Sequence, residues 1–159
     1  IPRRYTVGAG HELGGEWDTS ADDGTYDLWL LGPNGFHRHF TGKLEHSHRR
    51  SPEPEVRVEY DRHRGGIRLV LKNRGDAPAT FRLTANAYQQ HCEQQTFRVR
   101  GKDDHEHFLS LKHTANWYDF TVRVIGIDEF SRRFAGHVEN GRHSLSDPEL
   151  GGRARGEQS

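Results

Sequence analysis

Short segments in which apolar and polar residues alternate recur along the chain, and turn-forming residues separate them. Successive side chains of a β-strand point to opposite faces, so this period of two predicts strands that are buried on one side. The long amphipathic period of a helix is missing from the sequence, which therefore predicts an all-β protein. The predicted strands are 4–7, 26–31, 36–40, 56–60, 67–71, 81–85, 97–99, 108–111, 120–124 and 130–134.

The strand pattern occurs twice. Residues 5–7, 17 and 26–28 align with 97–99, 109 and 118–120 at a constant offset of 92 residues. After a two-residue insertion, FHRHFTG at 36–42 aligns with FSRRFAG at 130–136. Chance similarity does not keep register over this distance, so the chain contains two copies of one repeat.

The two copies differ in length, which sets the predicted domain organisation. Residues 55–139 are expected to form a complete antiparallel, immunoglobulin-like β-sandwich of seven strands, whereas residues 1–43 carry only counterparts of its last four. We therefore interpret 1–43 as the C-terminal half of a first β-repeat that begins at a cut. The polar, proline-containing stretch 44–54 is the predicted linker, and 140–159 is a polar C-terminal tail.

Local turn signals refine this picture. Gly32-Pro33-Asn34-Gly35 and Asn73-Arg74-Gly75-Asp76 each predict a hairpin loop between two strands. A tyrosine that begins a strand after an acidic, glycine-containing turn is typical of the tyrosine corner of such sandwiches. Tyr26 fits that description, and Tyr118 is its looser second version.

Charge and cysteine content exclude several kinds of partner. Lys and Arg together number 23, equal to Asp and Glu, so no net field attracts nucleic acid or an anionic membrane. The single cysteine, Cys92, excludes an internal disulfide and a cysteine-rich zinc site. No apolar run reaches the length of a membrane span.

Histidine is the strongest candidate for independent chemistry, because the chain has 12 of them. His37 and His39 lie on one strand face and could ligate a metal, and His46 with His48 and His105 with His107 have the same spacing. Without a cysteine or a fixed carboxylate the signal is weak, and a solvated strand face is the favoured alternative. Cys92 and the serines lack placed partners. We expect no catalytic residue, no metal site and no cofactor.

Aromatic and arginine residues are the remaining binding candidates. Trp29 and Trp117 could supply a stacking platform for a sugar ring or a quaternary ammonium group, although packing in the core or between domains is favoured. Arg38 and Arg132 share a strand face with phenylalanines, where a guanidinium needs an acid or a ring. We expect these arginines to pair with acids on the neighbouring strands or to stack on aromatic rings. If both side chains were fully solvated and unpaired, they would instead be candidate phosphate binders. The expected acidic partners are Asp27 for Arg38 and Asp119 for Arg132.

Several motifs together resemble a known family. PRRYTVGAG, YDLWLLGPNGFHRHFTG, RLVLKNRGDAPATFRLTANAY, WYDFTVRV and FSRRFAGHVENGR are similar to the C-terminal region of bacterial phosphocholine-preferring, non-haemolytic-type phospholipases C. The resemblance extends over roughly residues 2–151. It implies an upstream alkaline-phosphatase-like catalytic domain followed by two copies of a small β-rich domain. The family's catalytic residues then lie before Ile1, and none is carried over to this chain.

Two functional hypotheses follow. The first is a non-catalytic C-terminal β-domain of a secreted bacterial phospholipase C that hydrolyses phosphatidylcholine to diacylglycerol and phosphocholine. The domain would support the catalytic domain or the engagement of lipid aggregates. The alternative is an independent module that binds carbohydrate or a lipid headgroup. The resemblance also implies a secreted or periplasmic location, and the expected partners are the catalytic domain and a phospholipid surface, without nucleic acid.

One apolar face needs a cover. Tyr26, Leu28 and Leu30 share a face of their strand, and the strands of residues 1–42 cannot close a sandwich alone. We expect this half-repeat to fold back on the second repeat, which favours a monomer over a dimer.

Overall fold

The computed structural model describes residues 2–44, 51–88, 94–139 and 141. These contain a short 3-10 helix, Ser20–Asp22, and antiparallel strands. The strands are β1 (Thr25–Leu31), β2 (His37–Lys43), β3 (Pro54–Asp61), β4 (Gly66–Asn73), β5 (Ala79–Ala87), β6 (Gln95–Val99), β7 (Asp103–Ser110), β8 (Trp117–Val124) and β9 (Ile127–His137). The all-β prediction is confirmed. None of the described helical structure is long and apolar enough to cross a membrane.

Two sheets face each other as a β-sandwich. One has six strands in the order β1-β2-β9-β8-β5-β6, and the other has three in the order β3-β4-β7. The core lies between them, where inward apolar side chains of β3 to β9 are almost fully buried. Its largest members include Ile67, Leu69 and Leu71 of β4 and Phe81, Tyr118 and Phe120 of the larger sheet.

The first-repeat hairpin extends the sheet of the second repeat. β1 and β2 pair with each other, and β2 then pairs with β9. Arg38 lies opposite Phe134 and Phe40 lies opposite Arg132. Since Arg38 aligns with Arg132 and Phe40 with Phe134, a local two-fold axis relates the repeats and passes between His39 and Arg133. We call this axis the repeat dyad.

The turns that enter β1 and β8 are equivalent across the repeat dyad. Asp23 and Gly24 have positive φ, as do Ala115 and Asn116 at the aligned positions. Gly24 N donates to Thr19 O at 3.0 Å, and Asn116 N donates to Leu111 O at 3.2 Å. Both repeats therefore use the same left-handed turn, with glycine or asparagine where positive φ is easiest.

The structure differs from the sequence predictions at the first predicted strand. Residues 2–18 are all exposed and carry no strand, although 4–7 has the strand pattern. The aligned strand β6 pairs with β5, and β7, which aligns with the region of Trp17, pairs with β4. The described part of the first repeat contains no equivalents of β4 and β5, so these segments have no partner strand.

The prediction of a hairpin loop at residues 73–76 is also wrong. Residues 73–76 connect β4 to β5, which belong to different sheets, so this turn crosses the sandwich. Buried Asn73 holds the crossing in place. Its side-chain oxygen accepts from Glu53 N and Gly75 N, both at 3.1 Å, and its nitrogen donates to Ala77 O at 2.7 Å and Arg100 O at 3.1 Å. The loop at 32–35 does join paired strands, as predicted.

Candidate functional site

The six-stranded sheet presents two chemically different faces. Its inner face points toward the three-stranded sheet and carries the alternate residues Tyr26, Leu28 and Leu30 of β1. Its outer face carries the intervening side chains: Asp27 and Trp29 of β1, His37 and His39 of β2, Arg133 and His137 of β9, and Trp117, Asp119 and Thr121 of β8.

Arg38 is a buried arginine on the inner face, with 8% of its surface exposed. One guanidinium nitrogen donates to the carbonyl oxygens of Ala135 at 2.7 Å and His37 at 2.9 Å. The second terminal nitrogen, Nη2, donates to the hydroxyls of Tyr118 at 2.8 Å and Tyr60 at 3.3 Å. Backbone carbonyls and phenols therefore satisfy this cation in the interior of the sandwich.

Arg132 repeats this arrangement across the repeat dyad. Its guanidinium donates to the carbonyl oxygens of Thr41 and Ser131 and to the hydroxyl of Tyr26. Each arginine thus binds the strand-initial tyrosine of the other repeat. Arg132 has no counterpart of the Tyr60 contact among the described residues, and it is only half-buried.

Aromatic rings surround both guanidinium groups. Arg38 lies 4.2 Å from the ring centre of Phe36 and 5.3 Å from that of Phe134. At the equivalent positions, Arg132 lies 4.1 Å from Phe130 and 5.5 Å from Phe40. Cation–π attraction is strongest where the cation is desolvated, as it is for Arg38. The predicted aromatic stacking is present.

The predicted ion pairs of Arg38 with Asp27 and of Arg132 with Asp119 are wrong. The register places Leu30 opposite Arg38 and Thr41 opposite Asp27, so Asp27 belongs to the outer face. Its carboxylate instead contacts the imidazole of His39, with an N···O distance of 2.7 Å.

Asp119 pairs on the outer face with Arg133. The guanidinium of Arg133 donates to both carboxylate oxygens, at 2.9 and 2.6 Å, and this hydrogen bond raises the pKa of Arg133. Asn86 of β5 donates to Asp119 at 2.8 Å and to the hydroxyl of Thr121 at 2.9 Å. His39 and Arg133 are aligned residues, so the two repeats place equivalent acid–base pairs around the repeat dyad.

Trp29 forms an aromatic platform on the outer face. Its indole is stacked on the imidazole of His39, with centroids 3.9 Å apart, and on that of His37, with centroids 5.0 Å apart. More than half of its surface, 57%, remains exposed. Of the four predicted binding residues, Trp29 therefore presents an open ring surface, which makes it the strongest candidate for a ligand contact.

Trp117 is packed inside the protein, with only 8% of its surface exposed to solvent. Its ring contacts Tyr88 and His137, with centroid distances of 5.9 and 4.9 Å. The tip of the β1–β2 loop also lies on it, because a Cβ on Gly35 would come 2.7 Å from the indole. Trp117 thus anchors the first-repeat hairpin on the second repeat, while Tyr118 fills the core.

His37 is held in an environment that favours its neutral form. Burial lowers the pKa of His37, the positive charges of Arg133, His39 and Arg38 lower it further, and Asp119 opposes the shift. Its Nε2 atom is buried and has no hydrogen-bond partner within the part of the chain that the structure describes.

The histidine pairs pack on aromatic rings. His105 and His107 lie 5.0 and 4.8 Å from Phe97, much as His37 and His39 lie under Trp29. Across residues 2–44, 51–88, 94–139 and 141, no group of three or more His, Cys, Asp or Glu is placed to hold a metal ion. His46, His48 and Cys92 fall outside the described residues.

Two residues of these networks are not indicated by the sequence. Tyr60 reaches Arg38 and Tyr118 from the opposite sheet, and its hydroxyl lies 3.1 Å from that of Tyr118. Asn86 belongs to the bulged end of β5. A tyrosine at an otherwise polar strand end and an asparagine within a strand are the only signals that could have singled them out.

Fold and site together define a β-sandwich region in which two repeats share one sheet. The family of bacterial phospholipase C C-terminal domains matches residues 2–43 and 54–137, and the chain belongs to this family. It is 42% identical over 152 residues to the non-hemolytic phospholipase C of Pseudomonas aeruginosa, a match that covers 94% of the chain and 22% of that protein.

Two further relatives agree. The chain is 39% identical to the non-hemolytic phospholipase C of Burkholderia pseudomallei, covering 92% of the chain and 21% of the relative. It is 33% identical to the hemolytic phospholipase C of Pseudomonas aeruginosa, covering 94% of the chain and 22% of that relative. The chain therefore spans about a fifth of the length of these relatives and corresponds to their C-terminal part. The predicted family is confirmed.

Replacing Arg38 and Arg132, each of which binds the tyrosine of the other repeat, tests their structural role. Arg38→Ala should lower the free energy of unfolding by about 3 kcal/mol, because buried carbonyl and phenol groups lose their donor. Arg132→Ala should cost about 1–2 kcal/mol, since its surroundings are more open to water. Urea unfolding measures both values, with Arg123→Ala on the exposed outer surface as the control. Equal losses in the free energy of unfolding for all three substitutions would show that the contacts between Arg38 or Arg132 and the other repeat do not stabilise the fold.

The pH dependence of stability tests the environment of His37. Because its pKa is lower in the folded protein than in the unfolded chain, the unfolded chain binds the proton more readily, and stability is lost as the pH falls below about 6.5. His37→Asn should reduce this loss between pH 7.5 and pH 5 in urea unfolding, whereas His113→Asn at an exposed turn should leave it unchanged. A slope insensitive to His37→Asn would show that this environment is absent in solution.

Proposed function

We propose that this chain is the structural C-terminal region of a secreted phospholipase C, which we call the parent protein. In this proposal the parent hydrolyses phosphatidylcholine to diacylglycerol and phosphocholine through an upstream alkaline-phosphatase-like domain. The present region supports that domain and its engagement with lipid aggregates. The family match over residues 2–43 and 54–137 and the similarity to the C-terminal part of a phospholipase C support this assignment.

The observation that carries the proposal is the structural use of the charged side chains that most resemble a site. Arg38, which would suit a phosphate, is buried against carbonyls and phenols. Asp119 and Arg133 bind each other with two hydrogen bonds. The Arg38 contacts join the first-repeat hairpin to the second repeat, and a sheet shared by both repeats is suited to supporting a neighbouring domain.

An activity assay tests the division of labour. The 159-residue chain at micromolar concentration, with added divalent metals, should leave p-nitrophenylphosphorylcholine unhydrolysed. The intact parent is the positive control and should release p-nitrophenol. Turnover by the chain that disappears on replacing His37 and His39 would contradict a structural role and assign catalysis to these histidines.

A second function, binding of a sugar ring or a choline headgroup, is favoured by one observation. The indole of Trp29 stacks with the imidazoles of His37 and His39 and remains 57% exposed. Such a surface suits the apolar face of a sugar or a quaternary ammonium group.

Matched tryptophan variants test this binding function. If it operates, phosphocholine or a soluble glucan will change the tryptophan fluorescence of the wild-type chain and of Trp17→Ala, but not that of Trp29→Ala. Trp17 is the appropriate control because it is also exposed, at 42%. A Trp29→Ala variant that responds like the wild type would remove the platform from consideration.

A further inference from the structure

Three exposed arginines lie close together on the outer face of the six-stranded sheet, where β8, β5 and β6 are neighbours. Arg123 of β8 lies directly opposite Arg82 of β5. Arg98 of β6 lies opposite Thr80, which is two residues from Arg82 on the same face. Because neighbouring strands are about 4.8 Å apart, the three strands that carry the arginines span about 10 Å. We call these three residues the arginine patch.

The arginine patch is not neutralised by the described part of the chain. Among the residues that the structure describes, none of its guanidinium groups takes part in an ion pair or a side-chain hydrogen bond. Asp119, the acid that β8 carries on this face, already binds Arg133 and Asn86. Asp128 and Glu129, at the start of β9, are exposed and form no described ion pair with the patch.

The surface around the arginine patch carries donors and no acid. The outward residues of 80–84 in β5 and 96–98 in β6 are only threonines and arginines, because the intervening residues pack against the core. Thr96, for example, lies opposite Arg82. A hydroxyl group can donate a hydrogen bond to an anion, whereas a carboxylate only accepts. This part of the outer face is therefore suited to an anionic ligand.

The surface of the three-stranded sheet uses its exposed arginines differently. Arg57 and Arg74 both pair with Glu55, at 2.8 and 2.7 Å, and Arg68 pairs with Glu59. Like charges directly opposite each other on neighbouring strands destabilise a sheet, whereas opposite charges stabilise it. The arginine patch therefore works against the stability of the fold, and binding of something outside the fold accounts for its presence.

Phosphate groups are the ligands that fit this chemistry. A planar guanidinium binds phosphate oxygens through two parallel hydrogen bonds. A single phosphate on an exposed surface gains little, because water screens each contact. A layer of lipid headgroups presents several phosphates at once, so each arginine adds to the binding. An open strand surface with three arginines thus favours a lipid layer over one small anion.

We propose that the arginine patch binds the phosphate groups of anionic phospholipids at the surface of a lipid aggregate. The chain has 23 basic and 23 acidic residues, so the attraction is local and does not come from net charge. The inference rests on the proposed function, in which this region engages lipid aggregates. It assigns that contact to β8, β5 and β6, at the opposite end of the sheet from Trp29 of β1.

Co-sedimentation of the 159-residue chain with vesicles tests the proposal. The chain should bind vesicles of phosphatidylcholine mixed with phosphatidylglycerol, and raising the salt concentration should weaken the binding. Combining Arg82→Gln, Arg98→Gln and Arg123→Gln should weaken it about 100-fold, since each basic residue near an anionic lipid surface contributes about fivefold. Binding of the wild-type chain that is equally tight to vesicles of phosphatidylcholine alone overturns the proposal.

A second triple variant controls for net charge. It combines Arg57→Gln, Arg68→Gln and Arg74→Gln, which remove the same charge from arginines that already have glutamate partners. This variant should bind the mixed vesicles as tightly as the wild-type chain does, and an equal loss in both triple variants overturns the proposal. Urea unfolding should show no loss of stability in the patch variant. A clear loss would show that the arginines have partners in the fold, which also overturns the proposal.

Soluble competitors distinguish the other sources of phosphate. Inorganic phosphate that displaces the chain from vesicles at matched ionic strength would assign the patch to a small anion. A DNA duplex that binds the chain as tightly as the mixed vesicles do would assign it to nucleic acid, and either result overturns the lipid assignment. The readout is binding and not hydrolysis. An inactive parent therefore contradicts the proposed function, whereas vesicle binding that ignores the arginine patch contradicts this inference.

Discussion

The guanidinium of Arg38 sets the main constraint on this structure. A buried cation without a carboxylate is costly unless every donor finds an acceptor. Here the acceptors come from three places: its own strand, β9 across the repeat boundary, and tyrosines on both sheets. Moving the first-repeat hairpin relative to β9 would break these bonds together, so the arginine fixes both the register of β2 on β9 and the distance between the sheets.

The outer face follows from the same register. Once Arg38 and Phe40 point inward, His37 and His39 must point outward beneath Trp29, and Asp27 must lie beside His39. The aligned side of the sheet places Asp119 beside Arg133 in the same way. The aromatic platform, the acid–base pairs and the low pKa of His37 are consequences of how one strand is held.

The sequence predicted the strands well and their partners poorly. Alternation placed nine of the ten strand segments, and the division of β1 into the faces of Tyr26 and Asp27 is confirmed. Alternation along one strand does not determine which residue of a neighbouring strand lies opposite, so each acid was assigned to the wrong base: Asp27 pairs with His39 and Asp119 with Arg133. The segment 4–7 has a strand pattern but no described partner, and a strand needs one. Tyr60 comes from the opposite sheet, a contact that no local pattern encodes.

The repeat dyad also bears on the origin of this architecture. Arg38 meets Tyr118 as Arg132 meets Tyr26, so the two copies contact each other through the same patch of surface. Such an isologous contact is what a symmetric pair of separate, identical subunits would form. A symmetric pair of single repeats and two repeats fused in one chain would therefore use the same patch, so the fused chain needs no interface that the pair would lack.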